Sequence, residues 1–198
     1  MDRPLQVGIT GGIGAGKSLI CRIFQCLGVP IYDADSRAKN LMTTDLVLVE
    51  QIKKEFGASA YRSDGTLDRV HLGQMTFGHP ERLEKLNSLV HPRVAIDSLT
   101  WSTAHRNNKY LLREAALLYE AGSYKSVDKM IVVTAPESIR ISRTLTRDPH
   151  RSEKDIIAII KSQWPEEEKL KRADYIILND DQHMVIPQVL HLHSLFIS

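Results

Sequence analysis

Eight consecutive residues, Gly11-Gly12-Ile13-Gly14-Ala15-Gly16-Lys17-Ser18, satisfy the pattern G-x-x-x-x-G-K-[ST] without a mismatch. Glycines at this density let the backbone wrap a phosphate with its N–H groups turned inward, and a helix beginning at Lys17 adds the positive end of its dipole. In such a loop Lys17 reaches the β- and γ-phosphates, and the Ser18 hydroxyl is an oxygen ligand for Mg²⁺. The competing reading, a glycine turn with a solvated lysine, gives no reason for the flanking pattern of strand before and helix after. The chemistry indicated is the binding of a nucleoside triphosphate.

A second chemical feature is the acidic pair in Asp33-Ala34-Asp35. The carboxyl ends of adjoining parallel strands line the ligand crevice of an α/β sheet. A carboxylate at Asp33 would accept the proton of an acceptor hydroxyl or orient it for in-line attack. Asp35 would bind water around Mg²⁺ or cap the next helix, and the pair alone reads equally as turn residues and caps. The N-K-x-D and D-x-x-G elements of GTPase switches are absent, as is the ABC-transporter signature, which leaves small-molecule kinases.

A third is a basic helix face. Arg140, Arg143 and Arg147 recur at i, i+3 and i+7, and Arg151 and Lys154 follow the Asp148-Pro149 break. Between Arg140 and Lys154 five cations face two anions, a local excess of +3. Arginines of this kind supply bidentate contacts to phosphate oxygens and stabilise a transferring phosphoryl group. The segment at about 140–155 is therefore expected to be a lid that excludes water, with a solvated helix face as the alternative. His191 and His193 show no metal-ligand spacing, and the aromatic residues are too scattered for a base-stacking platform.

Hydrophobic periodicity indicates the elements that must hold these groups. Leu5–Thr10 reads as a buried parallel strand, Lys17–Leu27 as a helix stopped by Gly28, and Val29–Tyr32 as a second strand. From Ser36 to Arg106 the pattern is mostly helical, with candidate helices at Leu46–Phe56, Asp68–Thr76 and Glu81–Thr103 and a turn-rich loop at Gly57–Gly65. Strands return at Lys109–Arg113, Lys129–Thr134 and Tyr175–Leu178. Pro136 takes a first-turn helical position, and the last helix spans Gln182–Leu195. The expected organisation is a core of residues 1–35 and 107–198, with a helical acceptor subdomain at 36–106.

With 198 residues, the chain accommodates one domain and a subdomain-sized insertion at roughly 150 residues per domain. A hydrophobic content of 42% with 25% charged residues is that of an ordinary globular protein. The formal charge of +2 argues against a nucleic-acid partner. No apolar run approaches the ~20 residues of a membrane span, and MDRPLQVGITGG lacks a signal-peptide core. Two cysteines, Cys21 and Cys26, suggest neither a disulfide framework nor a zinc site, so a cytoplasmic location is expected.

The motifs together resemble the dephospho-CoA kinase family. TGGIGAGKS followed after one helix by DAD is similar to that family's opening. Leu67-Asp68-Arg69, Leu83-Glu84, His91-Pro92, Leu117-Leu118-Tyr119-Glu120, Arg147-Asp148, Gln163, Ala173-Asp174 and Asn179 then follow in the family's order, from about Val7 to Leu192. The DAD and HP elements separate the chain from adenylate, shikimate and uridine kinases. It departs from the usual pattern at Leu19, where the family has Thr, and at Glu114-Ala115-Ala116, where the family has D-x-P. It departs again at Asp180-Asp181, where a glycine usually follows two residues after the Asn.

The resemblance implies a three-layer α/β P-loop fold of the nucleoside-monophosphate-kinase type. It carries a parallel sheet of about five strands, a helical substrate-covering insertion and a lid. It implies transfer of the ATP γ-phosphoryl group to the ribose 3′-hydroxyl of dephospho-CoA, with ATP and Mg²⁺ as cofactors. Asp33, Lys17, Arg143 and Arg147 are the expected catalytic residues. The nucleotide is expected on Gly12, Ile13, Gly14, Ala15, Gly16, Lys17, Ser18, Leu19, Arg140 and Asn179, with Ser18 on the metal. Asp33, Asp35, Asp68, Arg69, His91 and Pro92 are expected on the acceptor side; His91 before a helix-bending proline reads equally as structural. The expected partner is the small-molecule substrate alone, with no nucleic acid or membrane, bound by a monomer or weak homo-oligomer.

Overall fold

Val7 and Ile9 alternate with inward-facing neighbours and are fully buried, which places their strand β1 (Leu5–Thr10) at the centre of the sheet. The computed structural model describes residues 3–198. Met1 and Asp2, the start of the segment read for a signal peptide, lie outside the described residues. The other strands are β2 (Ile31–Asp33), β3 (Tyr110–Glu114), β4 (Lys129–Thr134) and β5 (Tyr175–Leu178). All pair in parallel, in the order β2-β3-β1-β4-β5. The chain moves from β1 to the edge strand β2 before returning to β3, so the sheet's carboxyl ends open on either side of β1.

The helices, in chain order, are α1 (Lys17–Cys26), α2 (Ala34–Thr44), α3 (Leu46–Phe56), α4 (Arg69–Thr76) and α5 (Pro80–Ala104). They continue with α6 (Glu137–Arg147), α7 (Glu153–Ser162), α8 (Glu166–Lys171) and α9 (Val185–Ile197). The chain divides into two compact units, one running to Asp33 and resuming at His105–Ser198, the other Ala34–Ala104. In the first, Ile20 and Phe24 of α1 and Val189, Leu192 and Phe196 of α9 cover one sheet face formed by Val7, Ile9, Leu112, Ile131, Val133 and Ile177. Burying such a Leu, Ile, Val or Phe contributes about 1.5–3 kcal/mol each before entropy is counted.

The second unit has its own core of Leu48, Val49, Ile52, Phe56, Ala60, Tyr61, Leu67, Leu72 and Val90. Asp45 joins two of its helices: one carboxylate oxygen caps α3 at the Leu48 N–H (3.0 Å), and the other accepts from Arg93 of α5 at 2.7 Å. Arg37 of α2 pairs with Asp97 of α5.

The structure shifts several expected boundaries. β2 starts at Ile31 rather than Val29, because the Leu27, Gly28 and Val29 N–H groups return to the Phe24 and Gln25 carbonyls to close α1. The last helix starts at Val185 rather than Gln182. Asp180 captures the Gln182 and His183 N–H groups (3.1 and 2.9 Å) in a side-chain turn. The loop at 57–65 contains a short 3₁₀ turn, Ala58–Ala60, and Tyr61 bridges antiparallel to Leu67. α2 has no counterpart among the candidate helices, since it opens on a polar run from Asp35 to Asn40 and buries only Leu41.

Candidate active site

The loop between β1 and α1 takes the shape that its glycines permit. Gly14 and Gly16 have φ of 76° and 92°, in the left-handed region that side chains avoid. The surroundings exclude a Cβ as well: one on Gly14 would run into the Arg140 backbone, and one on Gly16 into the Asn179 amide. Gly16 is the N-cap of α1, so the helix's positive end points at the loop. Lys17 Nζ donates to the Gly11 carbonyl at 3.0 Å, across the mouth of the loop. Ala15 is buried, and Ile13 is partly so, whereas Ser18 and Leu19 face outward on the first turn of α1.

Two carboxylates stand beside this loop. Asp33 ends β2 and is the register partner of Glu114, which ends β3 and is itself paired with Ile9 of β1. Buried Cys21 on α1 reports their proximity. Burial, reinforced by Glu114 and Asp33 and opposed by Lys17, pushes its thiol up to about 12. Cys21 is therefore a neutral packing group, and its neighbours Lys17, Asp33 and Glu114 form the charged cluster at the carboxyl end of the sheet. Glu114 ends the strand that pairs directly with β1, from which the loop departs.

The arginine stripe on α6 keeps one face but runs from core to solvent. The Arg140 side chain is only 6% exposed, against 29% for Arg143 and 62% for Arg147. Arg140 lies against Gly12 and pairs with Glu166 at 2.9 Å, and Glu166 also bonds the Thr134 hydroxyl at the end of β4. Arg143 donates to the Asn179 carbonyl at 2.8 Å and to Asp181. Arg147 forks onto Asp148 at 2.8–2.9 Å, which also pairs with Arg151 at 3.4 Å. The local excess of +3 is thus offset by Glu166 and Asp181, which lie outside the 140–154 window. Arg140 and Thr144 are buried, so one face of α6 packs into the core while Glu137, Ser138 and Ser142 are exposed.

Asn179 sits where β5 ends. Its N–H bonds the Thr134 carbonyl at 2.8 Å, and its side-chain amide donates to the Ala15 carbonyl at 2.8 Å. This contact holds the phosphate loop from behind. Of the acceptor-side expectations, Asp35 lies in the first turn of α2, with Asp68, Arg69, His91 and Pro92 in the same helical unit. Asp68 caps α4 through the His71 N–H at 2.9 Å and pairs with Arg62 at 3.6 Å. Arg69 and His91 are exposed. Pro92 sits inside the continuous helix α5, where it removes one in-helix donor.

Sequence reasoning assigned no role to a layer of contacts behind the loop. Gln163, the residue after α7, accepts from the Ile13 N–H at 3.1 Å. Glu120 accepts from the Trp164 N–H at 2.9 Å and pairs with buried Lys169 at 2.8 Å. Burial would raise the Glu120 carboxyl; Lys169 and the Trp164 N–H outweigh it and hold the carboxyl below its ordinary range. A cavity of about 150 Å³ lies among Gly12, Arg140, Gln163, Glu166 and Lys169. These partners are far apart in sequence, so no spacing pattern announces them.

Mg²⁺ takes few protein ligands and completes its shell with water and phosphate oxygens. The residues present fit that habit: an outward hydroxyl at Ser18 on the first turn of α1, carboxylates at Asp33 and Glu114 on the strand ends, and a glycine loop whose cradle a Cβ would fill. Among the described residues no cluster of three His, Cys, Asp or Glu forms a cage of its own.

The chain resembles known proteins along nearly its full length. A family profile described as dephospho-CoA kinase matches residues 5–184. The dephospho-CoA kinase of Chlorobaculum tepidum is 37% identical over 183 residues, covering 89% of this chain and 87% of that protein. A Thermus thermophilus crystal structure superposes with a TM-score of 0.86 at 30% identity, covering 99% of both chains. The dephospho-CoA kinase of Campylobacter jejuni superposes with a TM-score of 0.71 at 27% identity, covering 96% of this chain and 95% of the other. The match takes in the phosphate loop, both strand-end carboxylates and the helical unit, and the chain belongs to the dephospho-CoA kinase family.

Proposed function

We propose that the protein transfers the γ-phosphoryl group of ATP to the ribose 3′-hydroxyl of dephospho-CoA, giving CoA and ADP, the last step of coenzyme A biosynthesis. Family membership supports the choice of acceptor. The observation that carries the chemistry is the pairing of Asp33 with Glu114 beside the phosphate loop.

Phosphoryl transfer demands positioning and charge stabilisation more than covalent help. The loop and Lys17 hold the triphosphate. Asp33 accepts the proton of the acceptor hydroxyl, a role worth about 10²–10⁴ in rate. Ser18, with Glu114 nearby, is the protein's contribution to holding Mg²⁺, which when bound neutralises charge on the phosphate oxygens. Arg147 is itself 62% exposed and, among the described residues, pairs with its neighbour Asp148, a pair worth about 0.2–1 kcal/mol, so it turns to a phosphoryl group at little cost. Arg143, which braces the turn after β5 through the Asn179 carbonyl and Asp181, is assigned to the transferring phosphoryl group as well, and Arg140 and Asn179 set the loop from behind. The helical unit, with Asp35, Asp68, Arg69, His91 and Pro92, is assigned to the acceptor. The two free thiols suit a reducing cytoplasm, and the enzyme is read as a monomer or weak homo-oligomer acting on small molecules.

The test is ADP release with ATP and Mg²⁺ against dephospho-CoA, nucleosides, nucleoside monophosphates and no acceptor. Stimulation by dephospho-CoA alone is expected. Equal stimulation by a nucleoside would reassign the acceptor, and no stimulation by any compound would remove the kinase reading.

A further inference from the structure

The phosphate loop is held from behind by a side chain 150 positions away: Gln163 Oε1 accepts from the backbone N–H of Ile13 at 3.1 Å. Gln163 is the C-cap of α7, and its own N–H returns to the Ile160 carbonyl at 3.2 Å, which fixes the point from which the side chain extends. The next residue is pinned too, since the Trp164 N–H donates to Glu120 at 2.9 Å. The Trp164 ring also stacks on buried Tyr119 at 5.9 Å. Gln163 therefore reaches the loop from a backbone fixed on both sides, and its carboxamide pays little entropy to hold one position.

Its place on the loop matters as well. Ile13 lies between Gly12 and Gly14, two residues with no side chain of their own to fix the peptides beside it. Gly12 has the Arg140 guanidinium against it, with Gln163 Oε1 close by. Arg140 is fixed in turn by Glu166, which holds the Thr134 hydroxyl. The loop is gripped at three points: Asn179 on the Ala15 carbonyl, Arg140 against Gly12, and Gln163 on the Ile13 N–H. Of these, only Gln163 comes from the end of the α6–α7 arm.

We infer that Gln163 is a positioning residue for nucleotide binding, holding the Ile13 peptide so that the loop is already shaped to receive phosphate. The inference rests on the nucleotide half of the proposed function and is independent of which acceptor is used. Removing the acceptor atom leaves the Ile13 N–H without its partner and lets the glycine-flanked peptide rotate, so each binding event must first reorder it.

The test is Gln163→Met, which keeps the length of the side chain and removes its acceptor. ADP affinity by calorimetry, without any acceptor substrate, is expected to weaken about tenfold, the scale of one positioned hydrogen bond. The KM for ATP should rise by a similar factor, with kcat at saturating ATP and the KM for the acceptor within about twofold of wild type. ADP affinity within twofold of wild type overturns the inference, and so does an equal rise in both KM values. Should the variant fail to fold, amide exchange in the wild-type protein without nucleotide decides. The Ile13 amide is expected to exchange at least tenfold more slowly than an unstructured amide, and free exchange there overturns the inference. Failure of the acceptor assignment leaves these ADP measurements untouched, so the two readings fail separately.

Discussion

Asp33 and Glu114 face one another across the β2–β3 pair, each the last residue of its strand. Neighbouring strands lie about 4.8 Å apart, so two carboxylates in register there repel unless cations answer them. Lys17 lies close enough to act on Cys21 together with both acids. Under the proposed function such a pair would divide two tasks, Asp33 taking the acceptor's proton and Glu114 serving the metal. Asp33→Asn is therefore expected to lower turnover by about 10²–10⁴ while ATP affinity stays within about twofold. Single-turnover rates and equilibrium binding check the two halves, and near-wild-type turnover would remove the assignment of Asp33 as base.

Lys17 already lies over the loop it is to serve, bonded to the Gly11 carbonyl at 3.0 Å. A phosphate arriving in the loop exchanges a neutral carbonyl acceptor for a charged one, which is the stronger partner for an ammonium. Lys17→Ala is expected to weaken ATP binding by about 1.5–3 kcal/mol and to abolish measurable turnover. Unchanged ATP affinity by calorimetry would show that the loop grips the phosphates without it.

The parts of this site that were legible in the sequence are those built from neighbours along the chain. The phosphate loop is a contiguous octapeptide, and β4, β5 and α3 follow from local periodicity to the residue. Asp33 was legible because a strand end is a local event. The arginines were legible as a stripe but not as individuals. Arg140, Arg143 and Arg147 share a helix face, yet the anions that fix them, Glu166, Asp181 and Asp148, come from three different places. A charge count over a window includes Asp148 and omits the other two. Gln163 and Ile13 are separated by 150 positions, and only the fold brings a carboxamide to that peptide.

That difference among the arginines predicts different phenotypes. Arg143 anchors the turn after β5 by the Asn179 carbonyl and Asp181, and Asp181 holds a left-handed φ of 65° there. Losing a charged donor to a carbonyl costs about 1.5–3 kcal/mol. For a chain of this size that is roughly 3–12 °C in Tm. Arg143→Met should therefore lower both Tm and activity. Arg147→Met should leave Tm within about 4 °C, because a pair whose arginine is exposed is worth about 0.2–1 kcal/mol, and should lower kcat alone. Scanning calorimetry beside steady-state rates separates the two, and equal Tm losses would show that Arg147 is as structural as Arg143.

The Glu120–Lys169 pair gives stability a definite pH dependence. The Lys169 side chain is 2% exposed and Glu120 15%, at 2.8 Å. Burial alone would raise the Glu120 carboxyl, but Lys169 and the Trp164 N–H bring it below its ordinary value of 4.5. A carboxyl lowered in the folded state stabilises the fold above its unfolded pKa, and that contribution is lost as pH falls through the lowered folded value. In Lys169→Met only the backbone N–H groups of Trp164 and of Glu120 itself oppose burial, the largest influence, and the folded carboxyl is expected to rise above 4.5 instead. The sign then reverses: the variant is penalised most at neutral pH, where Glu120 is a buried charge without its cation, and recovers as the pH falls and the carboxyl takes up a proton. A loss of about 3–5 kcal/mol is expected at pH 7, shrinking toward pH 4.5. Adding Glu120→Gln to the variant should restore much of the loss at pH 7, since the uncompensated charge is gone. Denaturant titrations of the three proteins at both pH values test this, and a wild-type-to-variant gap that does not change with pH would show that the pair holds the fold by packing and not by charge.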